Sequence, residues 1–241
     1  MAYNAVAGRW SEEITASRIG LDAALSLDDP VAIVRSGRYL ARALVETGHV
    51  EEANEPIDLI LKHQDRLPPE HRAATERGIA LVRSCQERFI EAREHARRAL
   101  DIARQLDQRH EIALSLLELG WGHAQLGDHS QAIVLCRQGI PMMQELGDHR
   151  NEAGAWDSIG YAQQRLGDLD AAIVNYRKAI RIYGEIHYDY GQAETLDHLG
   201  SAQLELGDIE QARESRTRAA DLLSGLRIAH AAQLRLRTPY P

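Results

Sequence analysis

Residues 156–172 read WDSIGYAQQRLGDLDAA, and the small residues of this stretch recur at one constant spacing on both sides of it. Three sets share the forty-residue interval: Gly120, Gly160 and Gly200; Ala132, Ala172 and Ala212; and the Gly-Asp pairs at 127–128, 167–168 and 207–208. A chain that repeats its small residues at a fixed period is a stack of similar structural units. Such stacks usually act through an extended surface and not through a catalytic pocket.

The residues around each Gly-Asp pair have the pattern of two helices. Apolar residues with helical spacing run through about 109–125, and a second periodic segment runs through about 129–146. Gly127 can end the first helix in the left-handed conformation, and Asp128 can cap the second. We therefore predict that each unit is a helical hairpin.

The recurring small residues have a packing role in this interpretation. Glycine inside a helix costs about 1 kcal/mol relative to alanine, so its recurrence at Gly160 needs a compensating gain. We predict that Ala172 of the partner helix faces Gly160, because two small residues let the backbones approach.

Two weaker copies precede the three clear ones, because Ala53 and Ala92 continue the alanine register. Their first helices are predicted at about 31–47 and 69–86. One further helix is predicted at each end of the stack, at about 11–27 and 226–237, where it would cover an end face.

Two prolines conflict with the regular pattern. Pro56 and Pro141 fall inside predicted second helices. Proline removes a backbone donor and clashes with the preceding turn, so each should kink its helix or mark a shorter one.

Composition excludes several classes of function. The net charge is −8 with no basic domain, which argues against direct binding of nucleic acid. No apolar run reaches the roughly 18 residues of a membrane span, and the N-terminus lacks a secretory signal, so we expect a cytoplasmic protein without membrane contact. Cys85 and Cys136 form no metal or redox pair, and no phosphate-binding, dinucleotide or metalloprotease motif occurs. We therefore expect no cofactor, no metal and no enzymatic activity.

The residues Trp156-x-x-Ile159-Gly160, followed by Ala172-x-x-x-Tyr176, resemble the tetratricopeptide repeat (TPR). The period of 40 in place of 34 resembles Leu-Gly-Asn repeat proteins, kinesin light chains and the C-terminal TPR domains of actinobacterial antibiotic regulatory proteins. This resemblance implies an all-α fold, a right-handed α-solenoid of about five hairpins. The implied boundaries are 1–30 for an N-terminal segment and capping helix, 31–67, 68–106, 107–146, 147–186 and 187–224 for the hairpins, and 225–241 for a C-terminal capping helix and tail.

The resemblance also implies that the first helices line a concave groove that binds a peptide or partner. The positions that it places in the groove are Arg35, Arg38, Arg42, Arg77, Leu117, Trp121, Gln125, Asp157, Tyr161, Gln164, Arg165, Glu194, Asp197, Ser201 and Glu205. Their order along the chain predicts a basic end, an aromatic centre and an acidic end. Such a groove suits a peptide that is acidic at one end and basic at the other. The alternative is that these charges form an ordinary solvated face.

Three functions remain open at this point. The leading one is a non-enzymatic, regulatory module that binds a peptide, helix or protein domain. The second is the sensor or oligomerisation domain of a bacterial transcriptional regulator whose DNA-binding domain lies outside this chain, and it rests on family analogy. The third is an enzyme with a groove pocket, which would need an inward cluster of perturbed titratable groups. Self-association is also open, because apolar groove residues such as Leu117 and Trp121 can accept a terminal helix of another copy.

Overall fold

The structure, a computed structural model, describes residues 10–225. Within that range eleven α-helices and one short 3₁₀ turn follow one another, and no strand occurs. The helices are α1 (Trp10–Ser26), α2 (Pro30–Glu46), α3 (Asn54–His63), α4 (Pro69–Cys85), α5 (Phe89–Gln105), α6 (Arg109–Gln125), α7 (His129–Leu146), α8 (His149–Arg165), α9 (Leu169–Glu185), α10 (Asp189–Leu206) and α11 (Ile209–Gly225). The predicted all-α class is confirmed, and so is the predicted helix near 11–27. The predicted helix at 226–237 lies outside the described residues.

The chain divides into two compact units, Met1–Gly122 (unit 1) and His123–Pro241 (unit 2), and the division falls within α6. In unit 1, α2 packs against α1, α3 and α4, and α4 packs against α5. The core here is aliphatic and includes Leu40, Leu44, Ile57 and Ile79, each at most 2% exposed.

In unit 2 each helix packs against the next, from α7 to α11, and α8 also contacts α10. The core contains Tyr176, Leu196, Leu199 and Leu223, together with small residues such as Ala193. Consecutive helices are therefore packed in pairs, as the repeat predicts, and the first helices of neighbouring pairs lie side by side.

The turns between helices follow the predicted chemistry. Gly127, Gly167 and Gly207 have φ of +87°, +83° and +90°, so each ends a helix in the left-handed conformation. Asp128 and Asp168 accept hydrogen bonds from the backbone N–H groups three residues later, as predicted N-caps should. Four other turns reach a similar backbone shape without glycine, at Asp28, Glu87, Asp107 and His187. The weaker hairpin of α4 and α5 therefore turns at Glu87 without the glycine that marks the three clear repeats.

The residue that approaches the recurring glycine differs from the one predicted. A Cβ built on Gly160 would lie 2.7 Å from the ring of Tyr176, and the three nearest atoms all belong to that ring. The predicted Ala172 is fully buried but lies one helical turn away from the contact. Gly160 therefore makes room for a large aromatic side chain, whereas at Gly200 the backbone oxygen of the predicted Ala212 is among the nearest atoms, at 3.2 Å.

The two prolines have different outcomes. Pro56 is the third residue of α3, within the first turn, where proline is tolerated, and α3 has only 10 residues before the 3₁₀ turn Gln64–Arg66. This matches the predicted shorter helix. Pro141 lies in the interior of α7, which continues as an 18-residue helix through it.

Candidate functional site

In unit 2 the predicted groove residues lie on two adjacent first helices, α8 and α10. Asp148 caps α8 by accepting from the backbone N–H of Asn151 at 3.2 Å. At the start of α10, Gly191 lies so close to the ring of Tyr188 that an added Cβ would be only 2.7 Å from it. Since both helix starts are anchored and the helices touch, their side chains meet across the contact.

The strongest link across α8 and α10 joins Asp157 to His198. Asp157 Oδ1 lies 2.9 Å from His198 Nδ1, with about one-sixth of the Asp157 side chain and about one-third of the His198 side chain exposed. Burial by itself would lower the pKa of His198, but Asp157, followed by Glu194 and Asp197, overrides this and raises the pKa to about 9. The imidazole is therefore protonated at neutral pH and donates to the carboxylate.

Aromatic rings surround this ion pair. The ring centroids of Tyr161 and Tyr176 lie 6.4 Å and 5.8 Å from that of His198. Tyr176 is fully buried and its hydroxyl donates to Gln164 Oε1 at 2.9 Å. Burial raises the pKa of Tyr176 far above its ordinary value, so the phenol stays protonated.

Two further pairs extend the cluster along α10. Gln164 Nε2 donates to Glu205 Oε1 at 2.6 Å, which links α8 to the C-terminal part of α10. Asp197 Oδ1 lies 3.7 Å from Arg216 Nε of α11, and both side chains are mostly buried. Arg216 also donates to Ser201 Oγ at 3.4 Å. The structure therefore brings together most of the predicted groove residues of unit 2, while Arg165 is exposed at the end of α8.

In unit 1 the predicted arginines have unequal environments. Arg35 is exposed, whereas Arg38, Arg42 and Arg77 are half-buried. Arg77 Nε lies 3.2 Å from Glu111 Oε2. The three arginines of the predicted basic end therefore differ in exposure, since Arg38 and Arg42 are half-buried and Arg35 is exposed.

The remaining predicted positions lie at or near α6. Trp121 Nε1 donates to Ser84 Oγ of α4 at 3.1 Å, so this indole is held within unit 1. Leu117 and Gln125 are half-buried. Trp156, the first residue of the repeat motif, is partly buried beside Ala153 and Ala179, and Lys178 Nζ lies 4.1 Å from its ring centroid.

Sequence reasoning missed His198, Tyr176 and Arg216 as members of the unit 2 cluster. A signal for two of them existed, because Tyr176 and Arg216 each follow a repeated alanine, Ala172 and Ala212, by four residues. Residues four apart lie on the same helix face, so they share the contact with the preceding first helix. His198 has no such signal, since it lies one residue beyond the predicted groove position Asp197.

Burial raises the pKa of the Cys136 thiol to about 12, as expected for an inert buried cysteine. Across residues 10–225, no group of three or more His, Cys, Asp and Glu side chains has the arrangement of a metal site.

Within residues 10–225, no helix combines the length and the hydropathy that a membrane span requires.

Comparisons with known proteins agree with this architecture. Residues 71–145 and 147–224, more than half of the chain, match the family model described as tetratricopeptide repeat. The comparison with curated proteins returns no match.

Among solved structures, BtubC (BKLC) from P. vanneervenii is 18% identical, with 96% of this chain and 94% of that chain covered and a TM-score of 0.67. A Rap protein in complex with Competence and Sporulation Factor is 15% identical over 95% of this chain and 68% of that chain, with a TM-score of 0.73. NprR in complex with its cognate peptide NprX is 16% identical over 85% and 66%, with a TM-score of 0.62. At these identities the likeness shows the fold alone. Because the family model covers both repeat stretches and the helices pack in consecutive pairs, this chain belongs to the tetratricopeptide repeat family.

Proposed function

We propose that this chain is a non-enzymatic, regulatory interaction module that binds a protein segment or peptide on the face of its first helices. The family supplies a protein-interaction fold, and NprR was solved with a bound peptide. Repeat proteins of this kind present extended surfaces that suit a long, flexible ligand.

The observation that supports this proposal best is the cluster on α8 and α10. Tyr161, Gln164 and Ser201 are half-buried there, and hydrogen bonds tie Gln164 to its neighbours. A surface that is already ordered loses little conformational entropy when a ligand binds. The face of unit 2 is thus prepared for contact with a partner segment.

The charged side chains of the unit 2 cluster indicate which ligand side chains it would bind. Four carboxylates occur in the cluster, at Asp157, Glu194, Asp197 and Glu205, against two cations, His198 and Arg216. The excess of acid favours a segment with a basic side chain, and the aromatic rings favour apolar groups beside it. For the whole chain we keep the broader hypothesis of a groove with basic, aromatic and acidic sections, in whose basic section the exposed Arg35 contributes least to specific contacts.

The finer architectural predictions belong to the same proposal. We propose five right-handed hairpins of the 40-residue type, with the boundaries given above, and a cytoplasmic location. The hairpins and their boundaries follow from the repeat spacing and from the resemblance to long-period tetratricopeptide proteins. The location follows from the two cysteines, which are not joined in a disulfide and suit a reducing compartment.

A peptide-display selection against the full chain tests the function. Selected peptides should be enriched in Arg or Lys next to apolar residues, and Glu205→Gln should weaken their binding by about fivefold, equivalent to roughly 1 kcal/mol. Glu214→Gln, at an exposed position on α11, is the matched control and should leave affinity unchanged. If no peptide is enriched, or if both variants weaken binding equally, the proposed binding face is wrong.

The second candidate is a sensor or oligomerisation domain of a bacterial transcriptional regulator. The favouring observation is that this chain covers only 66% of NprR, so the same fold occurs there as part of a longer protein. Light scattering of this chain would reveal self-association, and a DNA-binding domain encoded in the same gene would support a regulator. A monomer encoded without such a domain would contradict this candidate.

A further inference from the structure

Three arginines of unit 1 come together where α2 packs against α4. Arg38 of α2 lies over Gly78 of α4, because a Cβ at position 78 would be 3.0 Å from Arg38 Nε and 3.2 Å from its Cγ. Arg77 is the neighbour of Gly78 in the sequence, and Arg42 follows Arg38 by one helical turn. The glycine therefore lets one guanidinium stem settle beside a second arginine.

The positive charge of Arg38 is only partly compensated within unit 1, because burial and the repulsion of Arg77 outweigh the attraction of Glu111. Its Nε is buried and has no hydrogen-bond partner among the described residues. Burial, and then repulsion from Arg77, lowers the pKa of Arg38 to about 10. A buried guanidinium is normally paired with a carboxylate, so an unmatched donor marks a place for an anion.

Two carboxyl groups of α6 are present nearby, and Glu111 attracts Arg38 as well as Arg77. Glu111 pairs with Arg77 at 3.2 Å. Burial raises the pKa of Glu118, and the attraction of Arg77 and Arg42 offsets this only in part. One acid is therefore engaged with Arg77, and the other is disfavoured as an anion where it lies.

We propose that Arg38, Arg42 and Arg77 form a binding site for the side-chain carboxylate of an acidic partner segment. The site rests on the proposed function, because it supplies the anchor that unit 1 gives to such a segment. A bound carboxylate would accept hydrogen bonds from the guanidinium groups and would restore the charge balance around Arg38. Arginine suits this role because its planar fork can donate two parallel bonds to one carboxylate.

Solvent exposure distinguishes the three arginines of this site from the remaining positive charge on α2. Arg35 lies on the same helix face at a spacing of three residues from Arg38, yet it is exposed to solvent. An exposed cation is screened by salt and contributes little to specific binding. Arg35 is therefore a matched control for the three half-buried arginines.

The test uses the full chain and two fluorescein-labelled peptides, one alternating Glu with Ala and the other alternating Gln with Ala. Fluorescence anisotropy at physiological ionic strength should show the Glu peptide binding about tenfold more tightly, equivalent to roughly 1.4 kcal/mol. Arg38→Gln and Arg42→Gln should each remove most of that preference. Arg35→Gln should retain it.

A second variant, Glu118→Gln, is expected to strengthen binding of the Glu peptide instead of weakening it. Glu118→Gln removes a competing carboxyl group, so it should tighten binding of the Glu peptide by a few fold. Circular dichroism melts of each variant show whether it folds, and Glu118→Gln keeps the test valid if an arginine variant does not. Equal weakening by Arg35→Gln and Arg42→Gln, or no preference for the Glu peptide, would overturn the site.

Inorganic phosphate provides a further arm. Direct binding of phosphate in a calorimetric titration, without any binding of the Glu peptide, would assign the site to a phosphate group and contradict the carboxylate. If the wild-type chain fails to bind the Glu peptide but binds the selected basic peptides, this site alone is rejected. If the wild-type chain binds neither kind of peptide, the interaction function itself is rejected.

Discussion

The hairpins α8–α9 and α10–α11 share one backbone arrangement but fill the same position with opposite chemistry. Gly160 accommodates the ring of Tyr176, whereas Gly200 accommodates the stem of Arg216, whose Cγ would lie 2.9 Å from an added Cβ. Tyr176 is fully buried in the core, and Arg216 extends to Asp197 at 3.7 Å. The repeated glycines and alanines set how closely the paired helices approach. The residue four positions after each alanine, Tyr176 or Arg216, determines which side chain is packed at the contact.

The largest expected difference between the hairpins concerns this residue. Tyr176→Ala should lower the free energy of unfolding by about 3–5 kcal/mol, because it leaves a cavity where a fully buried ring was packed. Arg216→Ala should cost about 1–2 kcal/mol, since its main loss is the partner of Asp197. Urea unfolding followed by circular dichroism measures both. Equal losses would mean that the two positions are not structurally distinct.

The two glycines give the next largest difference. Gly160→Ala should destabilise by about 1–3 kcal/mol, because a fully buried ring cannot move away from the new methyl group. At Gly200 the added Cβ would lie 2.9 Å from Cγ of the flexible Arg216 stem and 3.2 Å from the backbone oxygen of Ala212. The stem can rotate and the gain in helix propensity is about 1 kcal/mol, so Gly200→Ala should cost less than Gly160→Ala.

A double-mutant cycle sharpens this prediction. In the Tyr176→Ala background, Gly160→Ala should lose most of its cost, because the clashing ring is absent. If Gly160→Ala costs the same in both backgrounds, the glycine serves another purpose than the contact with Tyr176.

The smallest expected effect concerns pH and separates the Asp157–His198 pair from the Asp197–Arg216 pair. The pKa of His198 is raised from 6.5 to about 9, so its contribution to stability is complete below pH 6.5 and is lost as the pH rises through 9. The effect is modest, since about a third of the His198 side chain is exposed. Arginine keeps its charge throughout this range, so the Asp197–Arg216 pair should not respond.

NMR titration of the His198 ring measures this directly. The wild-type midpoint should lie near 9, and Asp157→Asn should move it toward 6.5 while reducing the loss of stability between pH 7 and 9. A wild-type midpoint near 6.5 would contradict the ion pair.

Much of the fold could be predicted because its signals are local. The predicted helices at 109–125 and 129–146 coincide with α6 and α7, since helical periodicity ends at Gly127 and restarts after the cap Asp128. The turns at Asp28, Glu87, Asp107 and His187 lack the glycine signal, because a non-glycine residue can adopt the left-handed conformation at a cost of about 1 kcal/mol.

The candidate site was predicted less completely, because its chemistry depends on contacts between helices. The repeat spacing placed Asp157, Asp197 and Arg38 on first helices. It could not show that His198 forms an ion pair with Asp157, or that the Arg38 side chain packs over Gly78. Side chains forty residues apart in sequence meet only after the helices pack. A single repeat contains no information about the partner that its neighbour supplies.

The sequence by itself determined that this protein is built of paired helices, and where the helices on either side of Gly127 begin and end. Hydrophobic periodicity, left-handed glycines and aspartate caps act within one or two helical turns, so they can be recognised without a fold. Only the tertiary structure decided that Tyr176 fills the space at Gly160, that Arg38 is half-buried while Arg35 is exposed, and that Asp157 raises the pKa of His198. Burial and charge pairing depend on distances between separate helices, and packing sets those distances.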